Sequence, residues 1–183
     1  MTDEQVMADT QAWLHRVVIG LNLCPFAKAV VVKNQLRLVV CQAAEPTAVL
    51  AMLQAELRHL ADTDPALLDT TLLIAPCLLP DFVDFNAFLF DCDALLETMG
   101  LAGVLQIADF HPRYQFAGVD PSDISNHTNR APYPTLHLLR EVSVDKAVAA
   151  FPNAASIYDT NIATMQALGH TGWAALNLPM PKP

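Results

Sequence analysis

Several features that mark specialised protein classes are missing from this sequence or sparse in it. Charged residues make up only 16% of the chain against 53% hydrophobic residues, which excludes a disordered tail, a coiled coil or a collagen-like fibre. No apolar run reaches the roughly 18–20 residues that a bilayer span requires. The acidic N-terminus also lacks the basic and then apolar layout of a signal peptide. We therefore expect a cytoplasmic globular protein with no membrane partner.

Positive charge and cysteine are scarce as well. Ten Lys and Arg stand against nineteen Asp and Glu, so the formal net charge is −9. Phosphate backbones repel such a chain, and we expect no nucleic-acid partner. The four cysteines do not form a disulfide framework, which is consistent with a reducing compartment.

Sequence motifs that are typical of common cofactor-binding sites are absent too. The sequence contains no GxGxxG, GxxxxGK[ST] or GxSxG pattern and no EF-hand loop. Dinucleotide binding, P-loop chemistry and an α/β-hydrolase nucleophile elbow therefore lack the backbone features they need. The cofactor, if there is one, stays unknown from sequence.

What the chain does contain is apolar sequence in regular patterns. It has 183 residues, 53% of them hydrophobic, which suits a single globular domain over 1–183. Apolar runs at 70–75 and 104–108 predict buried strands, and helical patterns at 46–60 and 82–99 alternate with them. This alternation predicts an α/β (or α+β) fold, with a small mixed, mainly parallel sheet of about four strands packed with helices.

Other elements follow from shorter patterns. Two β-branched runs at 30–32 and 36–40 predict a hairpin, and 135–141 predicts a short helix. Two C-terminal helices are expected within 143–169, the second beginning at Ser156 and ending at Gly169. The proline-rich residues 179–183 predict an extended tail.

The segment 109–141, following the last predicted strand, is the expected site-bearing loop. It belongs to a stretch that holds three of the six arginines and is nearly neutral on an otherwise acidic chain. Long irregular connections in compact domains are usually functional, and sites in α/β sheets lie beyond the carboxyl ends of strands. Guanidinium groups match carboxylates and phosphates, so we expect a small anionic ligand.

A histidine and an arginine stand together at the start of this loop. His111 can act as a general acid/base beside an anion held by Arg113, or it can hold the loop shut by hydrogen bonds to the backbone. The predicted substrate-binding residues are Arg113, Tyr114, Asn129, Arg130, Tyr133 and Arg140.

Cys24 is a second catalytic candidate. It lies at a predicted helix end near Lys28, which favours a thiolate and would make it a nucleophile on the opposite wall of the site. The alternative is a small residue buried at a sharp turn.

We expect no metal, because no HExxH or paired-cysteine pattern is present. If there were one, its ligands would be Asp109, His111, His137 and Glu141, of which the last two share a face of the predicted helix at 135–141.

Three predicted strands end in reactive groups. Cys41 ends one, Cys77 follows another and Asp109-Phe110-His111 follows the third. If these strands run parallel, all three groups lie on one rim of the sheet.

The motifs carrying these residues resemble the bacterial domain-of-unknown-function family 1415. They are Gly20-Leu21-Asn22-Leu23-Cys24-Pro25-Phe26-Ala27, His111-Pro112-Arg113-Tyr114-Gln115-Phe116 and Asn129-Arg130-Ala131-Pro132-Tyr133-Pro134-Thr135-Leu136-His137-Leu138-Leu139-Arg140-Glu141. The resemblance covers nearly the whole chain and implies a single-domain cytoplasmic protein, but no activity. Ala131 stands where we expect serine in that family, so that hydroxyl is no essential nucleophile.

Three functions remain open at this point. The first is a small-molecule enzyme that acts on an anionic substrate through the His/Arg loop. The second is a non-catalytic protein that binds an anionic metabolite with the same arginines. The third is a structural loop that closes the fold or forms a homodimer interface.

Overall fold

Helices and strands alternate through most of the chain. The computed structural model describes residues 1–150 and 156–179, so the predicted tail beyond Pro179 lies outside the described residues. The described elements are α1 (Asp3–Trp13), α2 (Ala27–Val32), β1 (Leu36–Val40), α3 (Pro46–Asp62), β2 (Thr70–Ile74), α4 (Phe82–Thr98), β3 (Leu105–Phe110), β4 (Thr135–Arg140), α5 (Glu141–Ala150) and α6 (Ile157–Ala175). A π-helix over Leu14–Ile19 continues α1, and a short 3-10 helix spans Ile124–Thr128.

The four strands form one mixed sheet in the order β1-β2-β4-β3. This confirms the mixed α/β class and the number of strands. Only the β1–β2 pairing is parallel, because β4 lies antiparallel to both β2 and β3. Strands β1, β2 and β3 nevertheless all run in the same direction, and their carboxyl ends meet at one edge.

The helix predicted at 135–141 is wrong: this segment is β4, and α5 begins only at Glu141. Alternate residues Leu136 and Leu138 are buried against one face of the sheet. The strand is covered on both faces, so its apolar run resembles a helical pattern. The long loop therefore lies between β3 and β4 rather than after the last strand.

The predicted hairpin is also wrong, because residues 30–32 belong to α2. Asn34 adopts a left-handed φ of 56° directly after the helix. The amide of Gln35 donates to Val30 O and the amide of Asn34 to Val31 O, which is the hydrogen-bond pattern of a Schellman motif. Tertiary packing overrides the β-propensity of the valines here.

The sheet separates two apolar clusters. Helices α3 and α4 pack on one face, where Leu53, Leu57 and Phe85 are fully buried beside Leu73 and Leu136. The other face packs against α1, its π-helical extension and α6, with Trp13, Val17 and Met165 buried beside Leu72 and Ile74. Burying a side chain of this size contributes roughly 1.5–3 kcal/mol, so both layers stabilise the fold.

The C-terminal helices differ in their bounds from the prediction. Ser156 is the N-cap of α6 as expected, but the helix continues to Ala175 through a kink at Gly169, where φ is 60°. Within residues 1–150 and 156–179, none of the helices combines the length and apolar character needed to cross a bilayer.

Candidate functional site

A cleft of about 880 Å³ opens at the edge where β1, β2 and β3 end. We call it the rim cleft. The segments that follow β2 and β3 and precede β4 line it, so the predicted convergence at one rim is confirmed for Cys77 and His111. Its other polar or aromatic lining residues are Asp81, Phe82, Arg113, Gln115, His127, Arg130, Tyr133 and Trp173.

The structure brings together some of the predicted site residues and separates others. His111, Arg113, Arg130 and Tyr133 line the rim cleft, whereas Tyr114 and Asn129 are not among its lining residues. Cys24 lines a different cavity on the sheet face, so it does not form the opposite wall of the loop site.

His111 is fully buried and both of its ring nitrogens are engaged. Its Nδ1 accepts the amide of Arg113 at 3.0 Å, so Nε2 carries the proton and faces Leu79 O at 3.1 Å. Its ring packs on Phe82 and Phe85, with centroids 5.5 and 4.9 Å away. Burial lowers the pKa of His111. The geometry thus matches a histidine that holds the loop, and proton transfer to a ligand would first break one of these bonds.

Arg130 organises the long loop from inside. Its Nε donates to Tyr114 O at 3.0 Å and its Nη2 to Pro121 O at 2.8 Å. Its own carbonyl accepts the indole N–H of Trp13 at 2.9 Å. Its Nη1 donates to Nε2 of His127 at 3.4 Å, so three of the five guanidinium N–H groups are used.

Side-chain amides and carboxylates complete the internal order of the loop. Asn126 is fully buried, accepts the amide of Phe116 at 2.9 Å and donates to Asp120 O at 2.8 Å. Asp123 caps the 3-10 helix, and the hydroxyl of Tyr133 donates to Asp9 at 2.6 Å. Asn129 acts through its carbonyl, which accepts the amide of His111. These hydrogen bonds hold the loop in one conformation, in which it forms a wall of the rim cleft.

Arg113 differs from Arg130 because its side chain is exposed. Within residues 1–150 and 156–179, the only ion pair joins Arg37 to Glu56, so neither loop arginine has a carboxylate partner there. Asp81 is the single acid among the described lining residues, and its Oδ1 already accepts the amides of Val83 and Asp84.

Arg140 lies away from the rim cleft and stabilises the fold. It is 7% exposed, and its Nε and Nη2 donate to the carbonyls of Leu60, Thr63 and Leu68 near the end of α3. Cations near a helix C-terminus are stabilised by the unpaired carbonyls there. The predicted role in binding substrate is not supported by this position.

The four residues of the predicted metal set are not assembled. His137 pairs with Ala108 across β3–β4, and Asp109 pairs with Leu136, so their side chains point to opposite faces of the sheet. Glu141 begins α5 rather than sharing a helical face with His137. In the part of the chain that the structure describes, no three His, Cys, Asp or Glu residues are grouped to hold a metal ion.

The sequence did not indicate that His127 packs against α6 beside the cleft. It is 9% exposed and packs on Trp173 with ring centroids 4.5 Å apart. Burial first, and then the charges of Arg130 and His170, lower the pKa of His127 to about 4. Its neighbours on α6 are about 43–46 positions away, and no local pattern indicates such a contact. Cys77 is exposed in the cleft.

We expect the stability of the protein to fall as the pH drops from 6.5 towards 4. His127 and His137 each have a folded-state pKa lowered by burial to about 4, against an ordinary value of roughly 6.5 in the unfolded chain. Between these values the unfolded chain takes up protons that the folded protein cannot. Each histidine should therefore cost about 2 kcal/mol between pH 7 and pH 5.

Urea unfolding of the wild type, His127→Gln and His59→Gln at both pH values tests this expectation. The His127→Gln variant should lose less stability on acidification than the wild type. His59, exposed on α3, is the matched control and its replacement should leave the pH dependence unchanged. Equal pH dependence in all three proteins would contradict the assignment for His127.

The fold and site define a single-domain mixed α/β protein with an arginine-lined cleft at the carboxyl edge of its sheet. Residues 5–175 match the family model described as a protein of unknown function, DUF1415, and the chain belongs to that family. Neither a curated protein nor a solved structure shows detectable similarity to it.

Proposed function

We propose that this protein binds a small anionic molecule, a carboxylate or a phosphate, in the rim cleft. The observation that carries the proposal is the presence of two guanidinium groups, Arg113 and Arg130, on one cleft without a carboxylate partner in the described chain. In a chain of net charge −9, cations left unpaired beside a concave surface favour an anion from outside.

The two arginines contribute in different ways. The Arg113 side chain has no hydrogen bond among the described residues, so all five of its N–H groups are available to a ligand. Arg130 keeps the remaining N–H groups of its two Nη atoms, while its bonds to Tyr114 O and Pro121 O hold the guanidinium in place. A preordered cation costs less entropy on binding than a mobile one.

Binding is supported better than catalysis. His111, the predicted acid/base, has both ring nitrogens bonded to backbone groups, and Cys24, the predicted nucleophile, lines another cavity. The proposed role is therefore that of a protein that binds an anionic metabolite. We also propose that it works in the cytoplasm, because all four cysteines are free thiols.

The internal bonds of Arg130 also favour a second candidate, in which the loop is a structural plug. The two functions make different demands on Arg113, because that side chain supports no part of the loop through hydrogen bonds among the described residues. Replacing Arg113 should impair ligand binding if the cleft binds an anion, and should leave the stability of the protein unchanged if the loop is only structural.

We expect inorganic phosphate or citrate to raise the melting temperature of the wild type. A ligand at about 100 times its dissociation constant stabilises a protein by about 2.7 kcal/mol. Arg113→Gln should weaken binding by roughly 10- to 100-fold, which corresponds to the loss of one charge-assisted contact. The indole N–H signal of Trp173, which lines the cleft, should shift on titration in the wild type.

Arg58→Gln is the matched control, because it removes the same charge from an exposed position on α3. It should bind the anion as the wild type does. Equal weakening in both variants would indicate general charge attraction only, and no effect of either anion on stability or on Trp173 would contradict the proposal for these two ligand chemistries.

A further inference from the structure

A second cavity, of about 300 Å³, lies on the sheet face opposite α3 and α4. We call it the sheet-face cavity. Its floor consists of side chains that alternate along all four strands, and its lining is almost entirely apolar. The floor residues are Leu36, Thr70, Leu72, Gln106, Phe110, His137 and Leu139.

Three helical segments wall this cavity. Trp13, Leu14 and Val18 come from α1 and its π-helical extension, Val30 and Val31 from α2, and Val144 and Ala147 from α5. π-Helical turns are rare and occur frequently at functional sites, because they shift side chains out of helical register. Here the π-helix presents Leu14 and Val18 to the cavity, and the turn after it adds Cys24.

His137 is a polar side chain on the floor with one ring nitrogen bonded and the other available among the described residues. The hydroxyl of Thr70 donates its single proton to Leu138 O at 2.6 Å, so the 2.7 Å contact between Thr70 Oγ1 and His137 Nε2 makes Nε2 the donor. In the neutral ring Nδ1 is then an acceptor. No hydrogen bond to Nδ1 is formed by any residue in 1–150 or 156–179.

The charges around the cavity favour a neutral ligand. Asp69 lines it and accepts the hydroxyl of Ser143 at 2.6 Å, so an anion would meet a carboxylate. The guanidinium of Arg140 turns to the other face of the sheet, where it bonds to carbonyls at the end of α3. Burial lowers the pKa of His137 to about 4, which leaves the ring uncharged near neutral pH.

We infer that the sheet-face cavity binds a small, mainly apolar, neutral molecule that donates one hydrogen bond to His137 Nδ1. Apolar cavities of roughly 150 Å³ already bind benzene, and ligand sites typically combine apolar walls with a few well-placed polar groups. A bicyclic aromatic alcohol fits both the volume and the acceptor at His137 Nδ1. This site is separate from the rim cleft and does not depend on the anion proposed there.

2-Naphthol and 2-methylnaphthalene are suitable probes because they have nearly the same shape and only the first carries a donor. We expect both to bind the full chain, with 2-naphthol binding roughly five-fold more tightly through one additional hydrogen bond. The two tryptophans report the location in ¹H–¹⁵N spectra. The indole signal of Trp13, in the cavity wall, should shift, while that of Trp173, in the rim cleft, should not.

Two variants of α5 test the location by filling space. Ala147→Phe places a ring in the cavity and should reduce the affinity for both probes by at least ten-fold. Ala149→Phe makes the same change at an exposed position on the same helix and should leave the affinity unchanged. Circular dichroism confirms that each variant is folded. If Ala147→Phe does not fold, the Trp13 and Trp173 signals of the wild type decide the location alone.

His137→Phe tests the acceptor. It keeps an aromatic ring on the floor and removes Nδ1, so the five-fold preference for 2-naphthol should disappear while 2-methylnaphthalene still binds. The inference is overturned if the wild type binds neither probe, if Trp173 shifts instead of Trp13, or if the preference for 2-naphthol survives in His137→Phe. Phosphate binding at the rim cleft, measured separately, is expected to be the same in this variant as in the wild type.

Discussion

Replacing Arg140 by alanine should lower the free energy of unfolding by roughly 3–5 kcal/mol. The guanidinium is 7% exposed and donates to three backbone carbonyls, those of Leu60, Thr63 and Leu68. Without the guanidinium, these carbonyls, which lie at the end of α3 and in the connection to β2, lose their hydrogen-bond donor. Such a loss is a large fraction of the 5–15 kcal/mol that stabilises a typical domain.

Chemical denaturation of Arg140→Ala and Arg58→Ala measures this effect. Arg58 is exposed on α3, and its replacement should change the free energy of unfolding by no more than about 0.5 kcal/mol. Arg140→Lys should be intermediate, because one ammonium group cannot reach the three carbonyls with the geometry of a planar fork. If Arg140→Ala were as stable as Arg58→Ala, Arg140 would not support α3 and would be free to bind a ligand.

The second large effect is expected for His111→Ala, at roughly 3 kcal/mol of lost stability. The variant removes a fully buried ring from its contacts with Phe82 and Phe85 and breaks the bonds to the Arg113 amide and to Leu79 O. Leu79 has a φ of 34°, a conformation that is costly for a residue with a β-carbon. Its carbonyl would lose the partner that helps to maintain it.

Thermal unfolding of His111→Ala beside His15→Ala separates structure from catalysis. His15 is exposed on the π-helix, so its replacement should leave the melting temperature within a degree or two of the wild type. A large loss for His111 alone would establish it as a loop anchor. Unchanged stability of His111→Ala would instead contradict the anchoring role and restore the acid/base hypothesis.

These anchors give the loop a fixed frame for the proposed anion site. Asn126, His111 and Arg130 together bond to backbone groups of the segments 111–121 and to Leu79. Arg113 lies on this frame, and its side chain forms no hydrogen bond within residues 1–150 and 156–179. A rigid support for a cation lowers the entropy cost of binding.

Much of the fold could be predicted from local patterns. The N-cap residues Thr2 and Asp81 accept backbone amides as their positions indicate, and Gly100 ends α4 in a left-handed conformation. The inward residues of α3, such as Leu53 and Leu57, follow from helical spacing alone. These signals depend on contacts within three or four residues, so they are present in the sequence itself.

The two errors have different physical origins. β4 is buried on both faces and so lacks the polar alternation that distinguishes a strand from a helix. The valines of α2 favour a strand, although Asn34 is a helix-ending signal that could have corrected that prediction. For β4, the contacts that decide the conformation come from β2 and β3, which are distant in the chain.

The sequence by itself determined that this is a single mixed α/β domain of the DUF1415 family, with arginines collected in one long loop. Only the tertiary structure decided which of these arginines is exposed. Arg113, Arg130 and Arg140 are the same residue type in the same stretch, yet one is exposed, one orders the loop and one supports α3. The N–H groups of Arg130 and Arg140 donate to carbonyls of residues that are distant in the sequence. No local sequence pattern indicates which residues these are.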